Sequence, residues 1–261
     1  MLIISHRGRG LGHRDNTLDG FRAVAAHKAP NDGDQGVRSI DGIETDIRVS
    51  ATGDLILFHD RHTSDGTAVR ELTLPELCEK VGYRVPTLPE ALALDLDVHW
   101  YLEIKAPEAE PLLRSVITAF PQLRSTVISF HHPSIFRLAR ANTVDCGVTF
   151  YHDQQSFDSF VEARAENGRL NTLVWGFEFL NPAALETASS FGFQNLVYDA
   201  ITPTEQLRCL ELGVEGVIID TPHLLSGAEA SDEAESPRRK TPSKKARDRD
   251  QTAGSATRLK S

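Results

Sequence analysis

Residues 42–60 read GIETDIRVSATGDLILFHD, and this stretch decides the fold of the 261-residue chain. Glu44 and Asp46 stand two apart, so a strand places both on one face while Ile43 and Ile47 take the other. The segment His99–Ile104, running into Lys105, repeats the pattern: Glu103 and Lys105 share a face, and Leu102 and Ile104 share its opposite. Unpaired charge buried on a strand costs several kcal/mol, so each of these charges needs a partner. Working outward, short apolar runs alternate with longer amphipathic ones. Strands are predicted at Leu2–Ser5, Gly42–Val49, Leu55–Phe58, His99–Ile104, Thr126–Phe130, Cys146–Phe150, Thr172–Trp175, Leu196–Tyr198 and Val214–Asp220. Helices are predicted at Asn16–Ala26, Leu88–Leu94, Glu110–Ala119, Ser134–Ala141, Gln155–Ala165, Pro182–Phe191 and Thr204–Leu212. Pro182 and Pro203 sit where first helical turns begin, and Gly192 and Gly213 where helices end. Such alternation implies parallel pairing. Eight units with one strand to spare predict an α/β fold, a (β/α)8 TIM barrel with a small β-hairpin excursion after the second strand. No G-x-G-x-x-G joins a strand to a helix, so a dinucleotide-binding fold has no support.

In a barrel the chemistry gathers at the carboxyl ends of the strands. A hairpin turning at Thr52-Gly53 pairs residues whose numbers add to about 104 or 105, which returns His59 to the side of Thr45 or Asp46. His6 ends the first strand, and Arg7 with Gly8 and Gly10 forms a loop suited to holding a phosphate. An internal salt bridge of Glu44 or Glu103 with Lys105 is one way to satisfy the buried charges. One lysine does not balance Glu44, Asp46 and Glu103, however, and a bound divalent cation does so better. Oxygen ligands without cysteine point to Mg²⁺ or Ca²⁺ rather than Zn²⁺. His131, His132 and His13 are read as packed or solvated loop histidines.

Composition narrows the function further. From Gly227 onward nine Lys/Arg face six Asp/Glu, a tail of +3, so the body carries −12 of the net −9. An acidic body argues against nucleic acid as a partner and requires any anionic substrate to be attracted locally. The tail, 227–261, has almost no large apolar residue and is expected to be disordered, leaving 1–226 as the folded domain. No run approaches a membrane span, and the strand-like Leu2-Ile3-Ile4 directly after Met1 is unlike a signal peptide, so the cytoplasm is the expected location. Cys78, Cys146 and Cys209 are widely spaced and are read as buried small hydrophobes. The sequence does not indicate an oligomeric state.

Five segments together carry a family likeness: ISHRGRGLGHRDNTLDGFRAV at 4–24, the opening stretch at 42–60, VPTLPEAL at 85–92, YLEIK at 101–105 and GVEGVIIDTP at 213–222. In order and spacing they resemble the glycerophosphodiester phosphodiesterase family. The resemblance implies a (β/α)8 barrel that uses a divalent metal to hydrolyse a glycerophosphodiester to glycerol phosphate and an alcohol. It makes His6 and His59 the acid–base pair, Glu44, Asp46 and Glu103 the metal ligands, and Arg7 and Lys105 the holders of the phosphate. Asp15-Asn16-Thr17 stands where the family usually has Glu-Asn-Thr, and Tyr198-Asp199-Ala200-Ile201 where it usually has Trp-Thr-Val-Asn. The sequence leaves open which histidine is acid and which is base, with His59 preferred as the acid. Two other readings are a lipid phosphodiesterase on the same barrel and a catalytically silent barrel that binds phosphodiesters.

Overall fold

The computed structural model describes residues 1–27, 39–151 and 156–222. The expected tail and the Gln155 start of one expected helix lie outside the described residues. In chain order the elements are β1 (Leu2–His6), α1 (Leu18–Ala26), β2 (Gly42–Val49), β3 (Leu55–Leu57), α2 (Leu74–Val81), α3 (Leu88–Leu92), β4 (His99–Ile104), α4 (Ala109–Ala119) and β5 (Ser125–Ser129). There follow α5 (His132–Ala141), β6 (Asp145–Thr149), α6 (Asp158–Asn167), β7 (Leu170–Gly176), α7 (Pro182–Ser190), β8 (Gln194–Tyr198), α8 (Pro203–Glu211) and β9 (Gly216–Ile219). Eight strands pair in parallel, and β1 bonds to both β2 and β9, so the sheet closes. β3 pairs antiparallel with the outer end of β2, as the hairpin count predicts. The fold is the expected (β/α)8 barrel.

Side-chain alternation separates two apolar layers. Ile4, Tyr101, Ile128, Val174, Leu196 and Ile218 fill the barrel interior. Their strand neighbours, among them Ile3, Ile43, Ile47, Trp100 and Leu102, pack outward against the helices. Phe21 of α1 meets Trp100 edge-on, with centroids 5.2 Å apart. Gly42 faces inward, where a Cβ would come within 2.8 Å of the His99 carbonyl and 3.0 Å of the Tyr101 ring. That crowding keeps the position free of a side chain.

One boundary and one additional helix correct the sequence reading. The first helix starts at Leu18, not Asn16: Asn16 takes a left-handed φ of 54°, and Thr17 caps the helix by accepting from the Gly20 N–H. The α2 helix was not expected. It begins with Thr73-Leu74-Pro75-Glu76, the same tetrapeptide as Thr87-Leu88-Pro89-Glu90 at α3, and both form capping boxes. Leu77 of α2 packs with Ile56, Phe58 and Val85, which braces the hairpin that carries His59.

Candidate active site

Strand register assembles the site. His6 pairs with Glu44 across β1 and β2, and Asp46 pairs with Glu103 across β2 and β4. In the hairpin Ile47 faces Leu57, and the Phe58 N–H donates to the Asp46 carbonyl at 3.0 Å. His59 therefore returns to the rim beside Asp46. The mouth holds a cavity of about 190 Å³ whose lining includes His6, Arg7, Glu44, His59, Glu103 and Lys105. Asp46 lies beneath it, fully buried.

One oxygen from each of Glu44, Asp46 and Glu103 lies within 4.8 Å of the others, and all three residues are buried. Lys105 Nζ is 2.7 Å from Glu103 Oε1 and 3.2 Å from Asp46 Oδ1, while Arg7 Nε is 2.9 Å from Asp46 Oδ2. The internal salt bridge weighed from the sequence is thus present, and it is not enough. Two cations meet three carboxylates, and Glu44 Oε1 is buried with no hydrogen-bond partner among the described residues. Its other oxygen receives the Arg7 backbone N–H at 3.3 Å and lies 3.8 Å from His6 Nε2. Burial, reinforced by Asp46 and Glu103, pushes the Glu44 carboxyl well above its ordinary value. Burial also raises Glu103, against the pull of Lys105. Burial opposes the charge on Asp46 as well, yet Lys105, Arg7 and His59 hold its carboxyl below the usual range. An unpartnered oxygen in an all-oxygen cluster with excess negative charge fits a hard divalent cation.

Asn16 is the brace beneath this cluster. Its Oδ1 accepts from the Thr45 hydroxyl at 2.7 Å and the Asp46 N–H at 3.3 Å, and its Nδ2 donates to Asp46 Oδ2 at 2.9 Å. The left-handed backbone that delays the start of the helix to Leu18 is what turns this amide inward.

The two histidines are held differently. His6 Nδ1 lies 2.6 Å from Asp220 Oδ1, and Asp220 Oδ2 accepts from Arg9 Nη1 at 2.6 Å. Arg9 in turn grips Asp15. Although burial opposes it, the bond to His6 and the charge of Arg9 bring the Asp220 carboxyl down to about 2. His59 Nδ1 meets Asp60 Oδ1 at 2.8 Å, and its carbonyl accepts from Arg48 Nε at 2.8 Å. Burial lowers the His59 pKa, more than Asp46 and Asp60 restore it.

The far wall is aromatic. Phe130 and Tyr151 stack with centroids 3.6 Å apart, Tyr198 meets Phe130 edge-on, and Ile128, Val174 and Ile218 complete the lining. The Tyr198 hydroxyl donates to the Phe150 carbonyl at 2.8 Å. His131 and His132 bond to Ser134 and to the Thr149 carbonyl, and neither lines this cavity. His13 is exposed on the first loop.

All seven residues singled out from the sequence therefore meet at one mouth. The sequence reading missed the supporting roles of Asp220, Asn16 and Arg9, together with the aromatic wall. Asp220 had a visible signal: like His6, it is a polar residue ending an apolar strand, and barrel closure makes those strands neighbours.

A model of the glycerophosphoryl diester phosphodiesterase family matches residues 6–224. A glycerophosphodiester phosphodiesterase from Caldanaerobacter subterraneus is 26% identical over 247 residues, spanning 86% of this chain and 96% of that protein. A crystal structure from Galdieria sulphuraria, a candidate glycerophosphodiester phosphodiesterase, superposes with a TM-score of 0.73 at 25% identity over 87% of this chain and 97% of that one. An Oleispira antarctica phosphodiesterase, solved with its product sn-glycerol-3-phosphate, shares the fold at a TM-score of 0.68 and 19% identity over 87% and 96%.

Proposed function

This chain belongs to the glycerophosphoryl diester phosphodiesterase family, and from that membership we propose that it hydrolyses a glycerophosphodiester to glycerol phosphate and an alcohol with His6 and His59 as its proton carriers. The observation that carries the reading is the buried triad of Glu44, Asp46 and Glu103, set beside both histidines at one barrel mouth. These carboxylates would hold Mg²⁺ or Ca²⁺. Such a cation, when bound, polarises a phosphoryl oxygen and offsets charge in the transition state.

The residues divide the remaining work. Arg7 and Lys105 hold phosphoryl oxygens, since carboxylates engaged with a cation compete less for them. The aromatic wall of Phe130, Tyr151 and Tyr198 packs the carbon face of the glycerol. His6, with Nδ1 bonded to Asp220, accepts at Nε2 the proton of the nucleophile, water or the glycerol hydroxyl of the substrate. As the new P–O bond forms and the old one breaks, His59 gives its proton to the departing alcohol oxygen. Where the glycerol hydroxyl is the nucleophile, water then opens the cyclic phosphate, with His59 taking its proton and His6 returning one to the glycerol oxygen. Asp220 is a positioning residue: it fixes the His6 ring and supports the imidazolium.

Exposure of Tyr151 (63%) and Ile201 (70%) is the observation that favours a lipid leaving group instead. No helix among the described residues is long and apolar enough to cross a membrane. Three free thiols suit a reducing compartment, and we keep the cytoplasm as the proposed location. The test is a panel of glycerophosphodiesters and lysophospholipids, assayed for release of glycerol phosphate with Mg²⁺ or Ca²⁺ and with chelator. Release from deacylated diesters that stops in chelator is expected. Binding without release from any of them would favour the silent barrel.

A further inference from the structure

Behind the His59 loop lies a second cleft, of about 430 Å³, between the outer end of β2 and the segment following β4. Its polar lining is Arg48, Arg61, His62, Arg70 and Lys105, against Glu71 and Glu108. Lys105 also lines the catalytic cavity, so the two spaces adjoin. In a body of charge −12 this is a local reversal of sign.

The arginines here are held unlike those of the catalytic cavity. Arg7 is paired with Asp46, and Arg9 with Asp15 and Asp220. Arg48 is partly buried and donates Nε to the His59 carbonyl, and it forms no ion pair among the described residues. Arg61 and Arg70 are exposed and form none there either. Guanidinium groups that no carboxylate contacts directly are free to engage a bound anion. The planar guanidinium fork matches phosphate oxygens in pairs.

We propose that this cleft is a second anion site, and that the preferred substrate is a glycerophosphodiester whose leaving alcohol carries a phosphate of its own. The inference rests on the reading above, in which the departing oxygen faces His59. Lys105 borders both spaces, so a leaving alcohol that extends past Lys105 reaches the cleft. The site thus adds the class of leaving group to the reaction.

Glycerophosphoglycerol and its phosphorylated counterpart, glycerophosphoglycerol phosphate, differ in the group at issue. Calorimetric titration of the full chain in chelator reads binding without turnover. The phosphorylated diester is expected to bind about tenfold tighter, with the gap narrowing at high salt. The double variant Arg61→Gln/Arg70→Gln, at exposed positions, is expected to remove most of that gap while leaving affinity for the unphosphorylated diester unchanged. Equal affinities in the parent protein overturn the proposal, and so does a gap that survives in the double variant. Glycerol phosphate release, measured separately with Mg²⁺, is expected to show the same preference in kcat/KM. Failure to release it from either diester overturns the phosphodiesterase reading, while the binding comparison still decides the cleft.

Discussion

His6 Nδ1 stands 2.6 Å from Asp220 Oδ1, although 214 residues of chain separate the two. Barrel closure brings them together: β1 pairs with β9 with Ser5 opposite Ile219, so the next residue of each strand meets at the rim. A proton on Nδ1 donated to Asp220 leaves the Nε2 lone pair free on the cavity side, where Glu44 Oε2 lies 3.8 Å away. Arg9 clamps Asp220 from the other side and is itself held by Asp15. The shorter Asp15, where the family usually has glutamate, therefore keeps a structural partner. One histidine is thereby fixed in ring orientation and tautomer before substrate arrives.

Asp220→Asn keeps the size of the group and removes its charge. We expect kcat to fall by about 10²-fold, with KM and cation affinity nearly unchanged, because the ring loses its support without losing any contact to the phosphate. His6→Ala and His59→Ala are expected to abolish turnover with native circular dichroism and melting. Full activity in either alanine variant would remove that histidine from the mechanism.

The same pair has a stability signature. The folded-state pKa of Asp220 is depressed from 3.8 to about 2. Its contribution is therefore complete above the unfolded value of 3.8 and is lost as pH falls toward about 2. Its side chain is 43% exposed, so solvent screens the effect and a modest gap is expected. Urea midpoints of the parent and Asp220→Asn should differ at pH 6 and converge as pH drops through 3, as about one proton is taken up. A gap that holds constant with pH would place its origin in packing.

Asn16 carries a different load. Asn16→Ala removes three hydrogen bonds around Asp46 and leaves a non-glycine residue at a φ of 54°. Alanine lacks the local side-chain bonding that lets asparagine occupy that conformation. We expect about 3 kcal/mol of destabilisation by urea unfolding, and weaker cation binding because Asp46 is freed to turn. A loss below about 0.5 kcal/mol, within the range of an ordinary surface substitution, would show that the amide does not brace the cluster.

The charged layer of the candidate site is legible in the sequence because strand periodicity is strict. Glu44 with Asp46 and Glu103 with Lys105 can share a face only at spacing two, and the hairpin sum located His59 to within one residue. Asp220 and Asn16 were harder because their partners lie across the barrel seam or in a left-handed turn, and neither relation has a fixed spacing. The aromatic wall joins Phe130 and Tyr151, which follow β5 and β6, to Tyr198 at the end of β8, a contact that no sequence spacing defines. The α2 helix was legible and passed over: Thr73-Leu74-Pro75-Glu76 carries the same capping signal as Thr87-Leu88-Pro89-Glu90.

Glu44 supplies the sharpest test of the cation site, because its effects on binding and on stability have opposite signs. With no cation, Glu44 is a buried carboxyl with one unpartnered oxygen, beside two other carboxylates. Its folded-state pKa is raised, so the native state binds more protons than the unfolded chain above the ordinary value of 4.5. In chelator, stability should therefore fall as pH rises from about 4.5 toward that raised value. Glu44→Gln has no proton to lose and should be the more stable protein in chelator at pH 8, by roughly 2 kcal/mol, the order of cost for burying an unpaired polar or charged group. Added Mg²⁺ or Ca²⁺ should reverse the ranking: the parent melts higher in proportion to cation bound, and the variant, short of one ligand, does not respond. Calorimetric titration near pH 6 should also show proton release on binding to the parent alone. A variant that melts lower in chelator and still gains from the cation would show that Glu44 is neither strained nor a ligand. The triad would then have to be read as an internal salt-bridge network around Lys105.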